Sequence, residues 1–168
     1  MAKEAYIEID GKRTPLTIEQ MKALGIYEEP KKSSFDRVEK KQSYYYITNC
    51  GHVYETTDYS FESDNTRHDI ANYCTDKEIL QQRVLHETLN RLLWRFSMEN
   101  DGDKIDWKDN YSEKYVILSD NKDKCFKVQC YHFTKSIGSI YFATEKIAQR
   151  AIDEIIIPFM KENPDFIW

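Results

Sequence analysis

The first 27 residues carry the pattern of a small ββα module. Apolar and polar residues alternate over residues 6–9, which is typical of a strand, and Asp10-Gly11 favours a tight hairpin turn into a short return strand. Thr17, followed three residues later by Gln20, forms a capping box that predicts the start of a helix. Gly25 is the residue type that follows many helices, so this helix is expected to end near position 24.

A polar stretch separates this module from a longer set of patterns. Residues 28–34 combine Pro30 with charged and serine residues, which predicts a linker. Residues 35–168 are expected to form one α+β domain, with an antiparallel sheet and two main helices. Between its second strand and its first helix, residues 58–68 predict an irregular acidic segment. The strands are predicted at residues 44–47, 53–57, 115–118, 125–133 and 139–142.

Capping residues and apolar stripes predict the two main helices. Thr75 and Glu78 form a second capping box, which opens a helix over residues 76–98. Thr144 is predicted to cap the last helix, and Pro158 to end or kink it, because proline lacks a backbone donor. The apolar positions of the first of these helices recur at the spacing of one helix face: Leu80, Val84, Leu85, Leu89, Leu92, Leu93 and Phe96.

The charge of the chain indicates what kind of partner it binds, and its hydropathy indicates where it is located. The 168 residues include 24 basic and 29 acidic side chains, a net charge of −5, and they show no basic face of the kind that neutralises phosphates. Direct binding of nucleic acid is therefore disfavoured, and a basic protein surface is the better electrostatic match. No apolar run of 18 residues is present and the N-terminus lacks the apolar core of a secretion signal, so a cytoplasmic location without a membrane span is expected. The sequence does not fix the oligomeric state.

The acidic segment and the tyrosines around it predict a protein-binding surface. Exposed tyrosines beside acids suit such a surface, because a rigid aromatic ring adds contact area at low entropic cost. Ordinary packing within the sheet explains the tyrosines equally well. The predicted partner-binding residues are Tyr54, Glu55, Asp58, Tyr59, Glu62, Asp64 and Asp69.

Two cysteines and two histidines within 25 residues predict a metal site. Cys50, His52, His68 and Cys74 are a complete ligand set for one structural, tetrahedral zinc ion. Their spacing differs from that of standard zinc fingers. The alternative is one buried cysteine, one solvated cysteine in a turn and two surface histidines.

The chain carries no sequence motif of a known catalytic centre. No GxSxG, Walker, GxGxxG or HExxH pattern is present, so the protein is not expected to be an enzyme. Spacing alone does not rule out a catalytic triad, because the members of a triad converge only in space.

Three stretches in order along the chain resemble one group of proteins. They are IEIDGKRTPLTIEQMKALGI near the N-terminus, Phe35-Asp-Arg-Val followed by Tyr44-Tyr45-Tyr46-Ile47, and IYFATEKIAQRAIDEI near the C-terminus. Together they resemble small accessory proteins of temperate phages and mobile elements of Gram-positive bacteria. The resemblance implies a phage-encoded inhibitor of host defence, in its most specific form a type II anti-CRISPR protein. Such a protein binds and blocks an RNA-guided effector nuclease in the host cytoplasm without catalysis.

Other readings remain open beside this resemblance. A small enzyme acting on nucleic acid or on a signalling nucleotide is one, and a phage structural or accessory protein is another, because fold does not determine function.

The resemblance also bears on the metal site. In the family it suggests, the positions of Cys50, His52 and Cys74 are commonly not metal ligands, so either the zinc hypothesis fails or this chain has acquired a site.

Overall fold

A computed structural model describes residues 5–27, 32–120, 122 and 125–167. The chain divides between Asp36 and Arg37 into two compact units, which are described separately below. Of the linker predicted at residues 28–34, residues 28–31 lie outside the described part of the chain. Helices and antiparallel sheets occur together, so the predicted α+β class is confirmed.

The first unit contains the predicted ββα module. Thr17 caps the helix, and the reciprocal bond from the Gln20 side chain to the Thr17 N–H completes the capping box. Gly25 has a φ of +66°, and the N–H of Ile26 donates to the carbonyl of Met21, which is the Schellman pattern at a helix C-terminus. The elements are β1 (Tyr6–Ile9), β2 (Lys12–Pro15) and α1 (Ile18–Ala23).

The second unit holds one two-stranded and one three-stranded antiparallel sheet. The hairpin of β3 and β4 forms the first, and the second has the strand order β6-β5-β7. The strands are β3 (Ser43–Ile47), β4 (Val53–Thr57), β5 (Lys114–Asp120), β6 (Cys125–Tyr131) and β7 (Tyr141–Phe142). The helices are α2 (Glu62–Asp69), α3 (Lys77–Glu99), α4 (Glu145–Ala151) and α5 (Ile157–Glu162).

The apolar residues of α3 pack into two clusters, whereas their spacing predicts a single helix face. Towards its C-terminal end, Leu89, Leu93 and Phe96 join the larger cluster with α4 and α5. Near its start, Leu80 packs with Ile47 and Cys74 in a smaller cluster beneath the β3–β4 hairpin. Helix α3 thus supports the hairpin on one face and the main core on another.

The prediction of an irregular acidic segment at residues 58–68 is wrong. Residues 62–69 form helix α2, although Phe61, at its N-cap position, makes no side-chain capping bond. Asp64, in the first turn, accepts hydrogen bonds from the N–H groups of Tyr59 and Phe61, which fixes the chain at the helix entrance. This support comes from a buried carboxylate, so it leaves no capping pattern at the N-cap position.

Two further predictions about helix ends need correction. Asp76, not Thr75, is the N-cap of α3, and its carboxylate accepts from the N–H groups of Glu78 and Ile79. Of the two outcomes predicted for Pro158, an end of the last helix is wrong, because the helix continues beyond it to Glu162, and a kink stays a prediction. A π-helical turn over Ile152–Ile156 precedes the proline, and the N–H of Ile157 donates to the carbonyl of Ile152.

Candidate protein-binding site

Two buried aspartates organise the connection between β4 and α2. Asp58 is fully buried and Asp64 is nearly so, and both carboxylates are hydrogen-bonded. Aromatic and basic side chains surround them. We call the following residues the carboxylate cluster: Arg37, Tyr44, Asp58, Asp64, Arg67 and Tyr73.

Asp58 is held by a charge and by neutral donors. The Arg37 guanidinium binds both of its oxygens, with Nε 2.8 Å from Oδ2 and Nη2 3.0 Å from Oδ1. The Tyr73 hydroxyl donates to Oδ2 at 3.0 Å, and the Ser60 N–H donates to Oδ1 at 2.7 Å. The bonds from Arg37 outweigh the opposing effect of burial and lower the pKa of Asp58 to about 2. Asp58 is therefore ionised at neutral pH.

Asp64 is held mainly by neutral donors. The Tyr44 hydroxyl lies 2.8 Å from its Oδ1, and the N–H groups of Tyr59 and Phe61 lie 3.1 and 3.0 Å from its Oδ2. Burial by itself would raise the pKa of Asp64, but these hydrogen bonds outweigh burial and lower it. Arg67, 3.7 Å away, adds a positive charge on the helix itself.

The two cluster tyrosines join the aspartates to the hairpin. Tyr44 and Tyr73 stack with ring centroids 3.9 Å apart and an interplanar angle of 14°. Burial raises the pKa of Tyr73 to about 12 and also raises the pKa of Tyr44, so both hydroxyls stay protonated as donors. Arg67 places its guanidinium 3.8 Å above the ring of Tyr46, on the same strand as Tyr44.

The cluster fixes three consecutive backbone amides. The N–H groups of Tyr59 and Phe61 bond to Asp64, and that of Ser60 bonds to Asp58. Ser60 has a φ of +62°, a left-handed conformation that costs a non-glycine residue about 1 kcal/mol or more. The bonds to two buried carboxylates compensate for this cost and hold the turn in one shape.

This turn exposes an aromatic pair. Tyr59 is 46 % exposed and Phe61 is 64 % exposed, and their rings lie 5.7 Å apart. Tyr54, Glu55, Glu62 and Asp69 are also exposed on β4 and α2. The name acidic aromatic surface is used below for six exposed residues of β4, the turn and α2: Tyr54, Glu55, Tyr59, Phe61, Glu62 and Asp69. Tyr54 and Glu55 are neighbours on a strand, so their side chains point to opposite faces of the hairpin.

The structure divides the seven predicted partner-binding residues into two groups. Five of them are exposed: Tyr54, Glu55, Tyr59, Glu62 and Asp69. Asp58 and Asp64 are buried in the carboxylate cluster, because their hydrogen bonds build the turn instead of facing solvent. Sequence patterns do not reveal Phe61 as part of the surface, because the exposure of this ring depends on bonds that only the fold creates.

The four predicted zinc ligands are not grouped in the structure. Cys50 and His52 are exposed in the β3–β4 turn, whereas Cys74 is buried and its backbone bridges to Tyr45 in the middle of β3. Burial raises the pKa of the Cys74 thiol. His68 instead packs edge-on against Tyr73. Within the described part of the chain, no three His, Cys, Asp or Glu residues are placed to hold a metal ion together.

The zinc hypothesis stays a prediction with a direct test. It predicts about one zinc ion per chain in tag-free protein purified without chelator, lost on Cys50→Ser or Cys74→Ser. Cys125→Ser is the control that should keep the metal. Elemental analysis that finds metal-free protein, with four titratable thiols, would reject the hypothesis.

Two cavities flank the β3–β4 hairpin where it meets α3. One, of about 280 Å³, includes Asn72 and the side chains of Arg83, Glu87 and Arg91 in its lining. Glu87 bonds both arginines at 2.8 Å, so each of these positive charges is paired. The other cavity, of about 700 Å³, lies between residues 51–54 and the first turns of α3.

None of the described helices combines the length and apolar character needed to cross a membrane. No protein-family model, curated protein or solved structure matches this chain.

Proposed function

We propose that this protein is a non-catalytic binding protein that inhibits a host defence nuclease by occupying a basic surface of it. The observation that carries the proposal is the turn at residues 59–61, which projects two aromatic rings from a backbone fixed by buried carboxylates. The proposed partner is the RNA-guided effector of a type II CRISPR system, in the cytoplasm of the host cell. The identity of this partner rests on the resemblance to phage accessory proteins.

A rigid turn favours binding because it lowers the entropic cost of association. Tyrosine and phenylalanine are residues that often dominate binding energy when they enter a pocket of the partner. Tyr59 and Phe61 need little further ordering, since their backbone N–H groups are already bonded to Asp64.

Charge supports a basic partner. Glu55, Glu62 and Asp69 are exposed, whereas Arg67, the one basic residue between positions 55 and 69, is directed into the carboxylate cluster and over Tyr46. RNA-guided nucleases hold their nucleic acids in positively charged channels, which an acidic protein can occupy. Complementary charge then speeds the encounter and helps to exclude other partners.

The proposal is tested by a pull-down with the purified effector, followed by a target-cleavage assay. We expect a stable complex and inhibition of cleavage. The double variant Tyr59→Ala/Phe61→Ala should bind about 10-fold or more weakly, because it removes the central rings of the surface. Tyr111→Ala/Phe133→Ala is the matched control, since these rings are 91 % and 80 % exposed in other loops.

Two results would reject the proposal. One is the absence of any complex with defence nucleases, accompanied by turnover of a nucleotide, which would favour the small-enzyme alternative. The other is equal weakening of binding by both double variants, which would show that the turn has no special role.

A further inference from the structure

One edge of the β3–β4 sheet is open. Gln42 with Asp58 and Thr48 with His52 are hydrogen-bonded pairs at the two ends of the hairpin. Such pairs recur at every second residue of an antiparallel ladder, so Tyr54 and Thr56 bond to β3. The N–H and C=O groups of the alternate residues in β4 therefore point away from β3. These outward residues are Val53, Glu55 and Thr57.

The outward groups of β4 differ from those at the other edge of the sheet. On β3, Tyr45 exchanges two backbone bonds with Cys74, and Ile47 bonds through both its N–H and its C=O to the side chain of Asn72. That edge is therefore closed at Tyr45 and Ile47. In the described part of the chain, no donor or acceptor is bonded to the outward backbone groups of β4.

The larger cavity lies at the start of this open strand. Val53 and Tyr54 line it on the hairpin, and Gln81 and Leu85 line it on α3. Gln82 fixes a further wall, because its side-chain amide bonds to the backbone of both Asp165 and Ile167. An edge strand next to a helix, with a groove between them, is the arrangement in which peptide-binding domains add an extended segment as a further strand.

We propose that β4 binds an extended peptide segment of a partner protein by antiparallel β-augmentation. A basic residue of the segment pairs with Glu55, and an apolar residue two positions away pairs with Val53. The apolar side chain then lies in the groove near Val84 and Leu85. The class of partner rests on the proposed function, whereas the mode of binding rests on the open strand.

Charge selects this occupant over a second copy of the chain. Glu55 is the central residue of β4, so symmetric pairing of two β4 strands would place Glu55 opposite Glu55. Like charges directly opposite each other destabilise a strand pair, whereas Lys or Arg opposite Glu stabilises it. The Lys77 side chain also lines the cavity, so the basic residue of the peptide belongs beside Glu55 and not beside Lys77.

The first test uses a phage-displayed library of linear 12-residue peptides against the full-length protein. We expect enrichment of sequences with Lys or Arg two positions from a large apolar residue. A lack of enrichment, or enrichment without this spacing, would overturn the proposal. Light scattering on the protein alone tests the other occupant: a dimer that Glu55→Pro dissociates would also overturn it.

The second test removes single backbone hydrogen bonds. N-methylation of an enriched peptide at its basic residue removes the N–H that reaches β4, so binding should weaken about 10-fold or more. N-methylation at the next residue is the matched control, because that N–H points away, and its effect should stay within about 3-fold. Equal effects of the two methylations on binding would overturn the proposal. This test modifies only the peptide, so the fold of the protein is unaffected.

Two variants of Glu55 distinguish the contribution of its backbone N–H to peptide binding from the contribution of its side-chain charge. Glu55→Pro removes the outward N–H, which edge strands tolerate, whereas Glu55→Gln keeps it and removes only the charge. Glu55→Pro should therefore weaken peptide binding more than Glu55→Gln does. Full-affinity binding of the nuclease to folded Glu55→Pro protein would overturn the strand proposal and leave the proposed function intact. Peptide binding of the expected pattern without any nuclease complex would reject only the proposed function.

Discussion

Asp58 is a fully buried carboxylate, and its neighbours explain why it stays ionised. Arg37 supplies the opposite charge, and Tyr73 and the N–H of Ser60 complete its hydrogen bonds. A buried charge is costly unless it is paired and hydrogen-bonded, so this residue depends on all its partners. The acidic residues of this segment therefore have two different roles. Asp58 and Asp64 are buried and stabilise the turn, whereas Glu62 and Asp69 are exposed.

The lowered pKa of Asp58 predicts how stability depends on pH. A carboxyl whose pKa is lower in the folded state stabilises the fold above its unfolded pKa and loses this contribution as pH falls through the folded pKa. For Asp58 the loss falls between about pH 5 and pH 2, and it amounts to about 2 kcal/mol. The difference in free energy of unfolding between wild type and Asp58→Asn should therefore shrink across this window. Urea denaturation at several pH values measures it, and a difference that stays constant would contradict the prediction.

Helix ends and turns with local causes are the elements that the sequence predicts well. The Thr17 capping box, the Gly25 C-terminus and the β3–β4 hairpin depend on residues within a few positions of one another, and each is present. Helix α2 is different, because the bonds at its entrance come from Asp64 and are buried beneath Tyr44. Local patterns carry no information about such support, so the sequence predicts an irregular segment there.

The same limit applies to the candidate site. Its acids and tyrosines are recognisable from composition, which is why five of the predicted residues lie on the acidic aromatic surface. The division into buried and exposed acids is not recognisable, because Arg37 reaches Asp58 across 21 positions without any periodic relation. Phe61 is missed for the same reason, since its exposure follows from the bonds of its own backbone N–H to Asp64.

The close packing of Gly102 against the C-terminal end of α3 predicts that a single added methyl group destabilises the fold. A Cβ on Gly102 would lie 2.2 Å from Ser97 Oγ and 2.7 Å from the Ser97 carbonyl oxygen, and Ser97 is fully buried. The Ser97 hydroxyl also donates to the carbonyl of Tyr141 at 2.5 Å, so it cannot move without breaking the contact between α3 and β7. We expect Gly102→Ala to lower the free energy of unfolding by about 1–3 kcal/mol, as overpacking does.

Asp103→Ala, one residue further on and exposed, is the control for this substitution. It should change stability by less than about 0.5 kcal/mol, as most surface substitutions do. Thermal or urea denaturation of both variants gives the comparison. Equal stability of Gly102→Ala and wild type would show that the helix end adjusts at little cost.

For the molecule as a whole, the distribution of charge matters more than the net charge of −5. Several acids elsewhere are already paired: exposed Glu154 with Arg150, exposed Asp101 with Lys104 and half-buried Glu87 with Arg91. Such exposed pairs contribute little to stability and cancel in the long-range field. Within the described part of the chain, exposed Glu55 and Glu62 form no ion pair, and Asp69 lies 3.8 Å from His68. These three acids are therefore the ones expected to attract the basic partner proposed above.

This distribution predicts which charge reversals slow association with the nuclease proposed as the partner. Glu62→Lys/Asp69→Lys should lower the association rate about 10-fold at low salt and weaken its dependence on salt, because charges at the rim of an interface mainly set the encounter rate. Lysine is unfavourable at the start of α2 and favourable at its end, so the effects of the two substitutions on the helix offset each other.

The control is Asp103→Lys/Glu145→Lys, which changes the net charge equally at two other exposed positions of the same unit and should have a smaller effect on the association rate. Surface plasmon resonance at several salt concentrations makes the comparison. If both double variants associate at the wild-type rate, the acidic aromatic surface is not the interface, and Arg91 and Arg95 on the exposed face of α3 become the next residues to test.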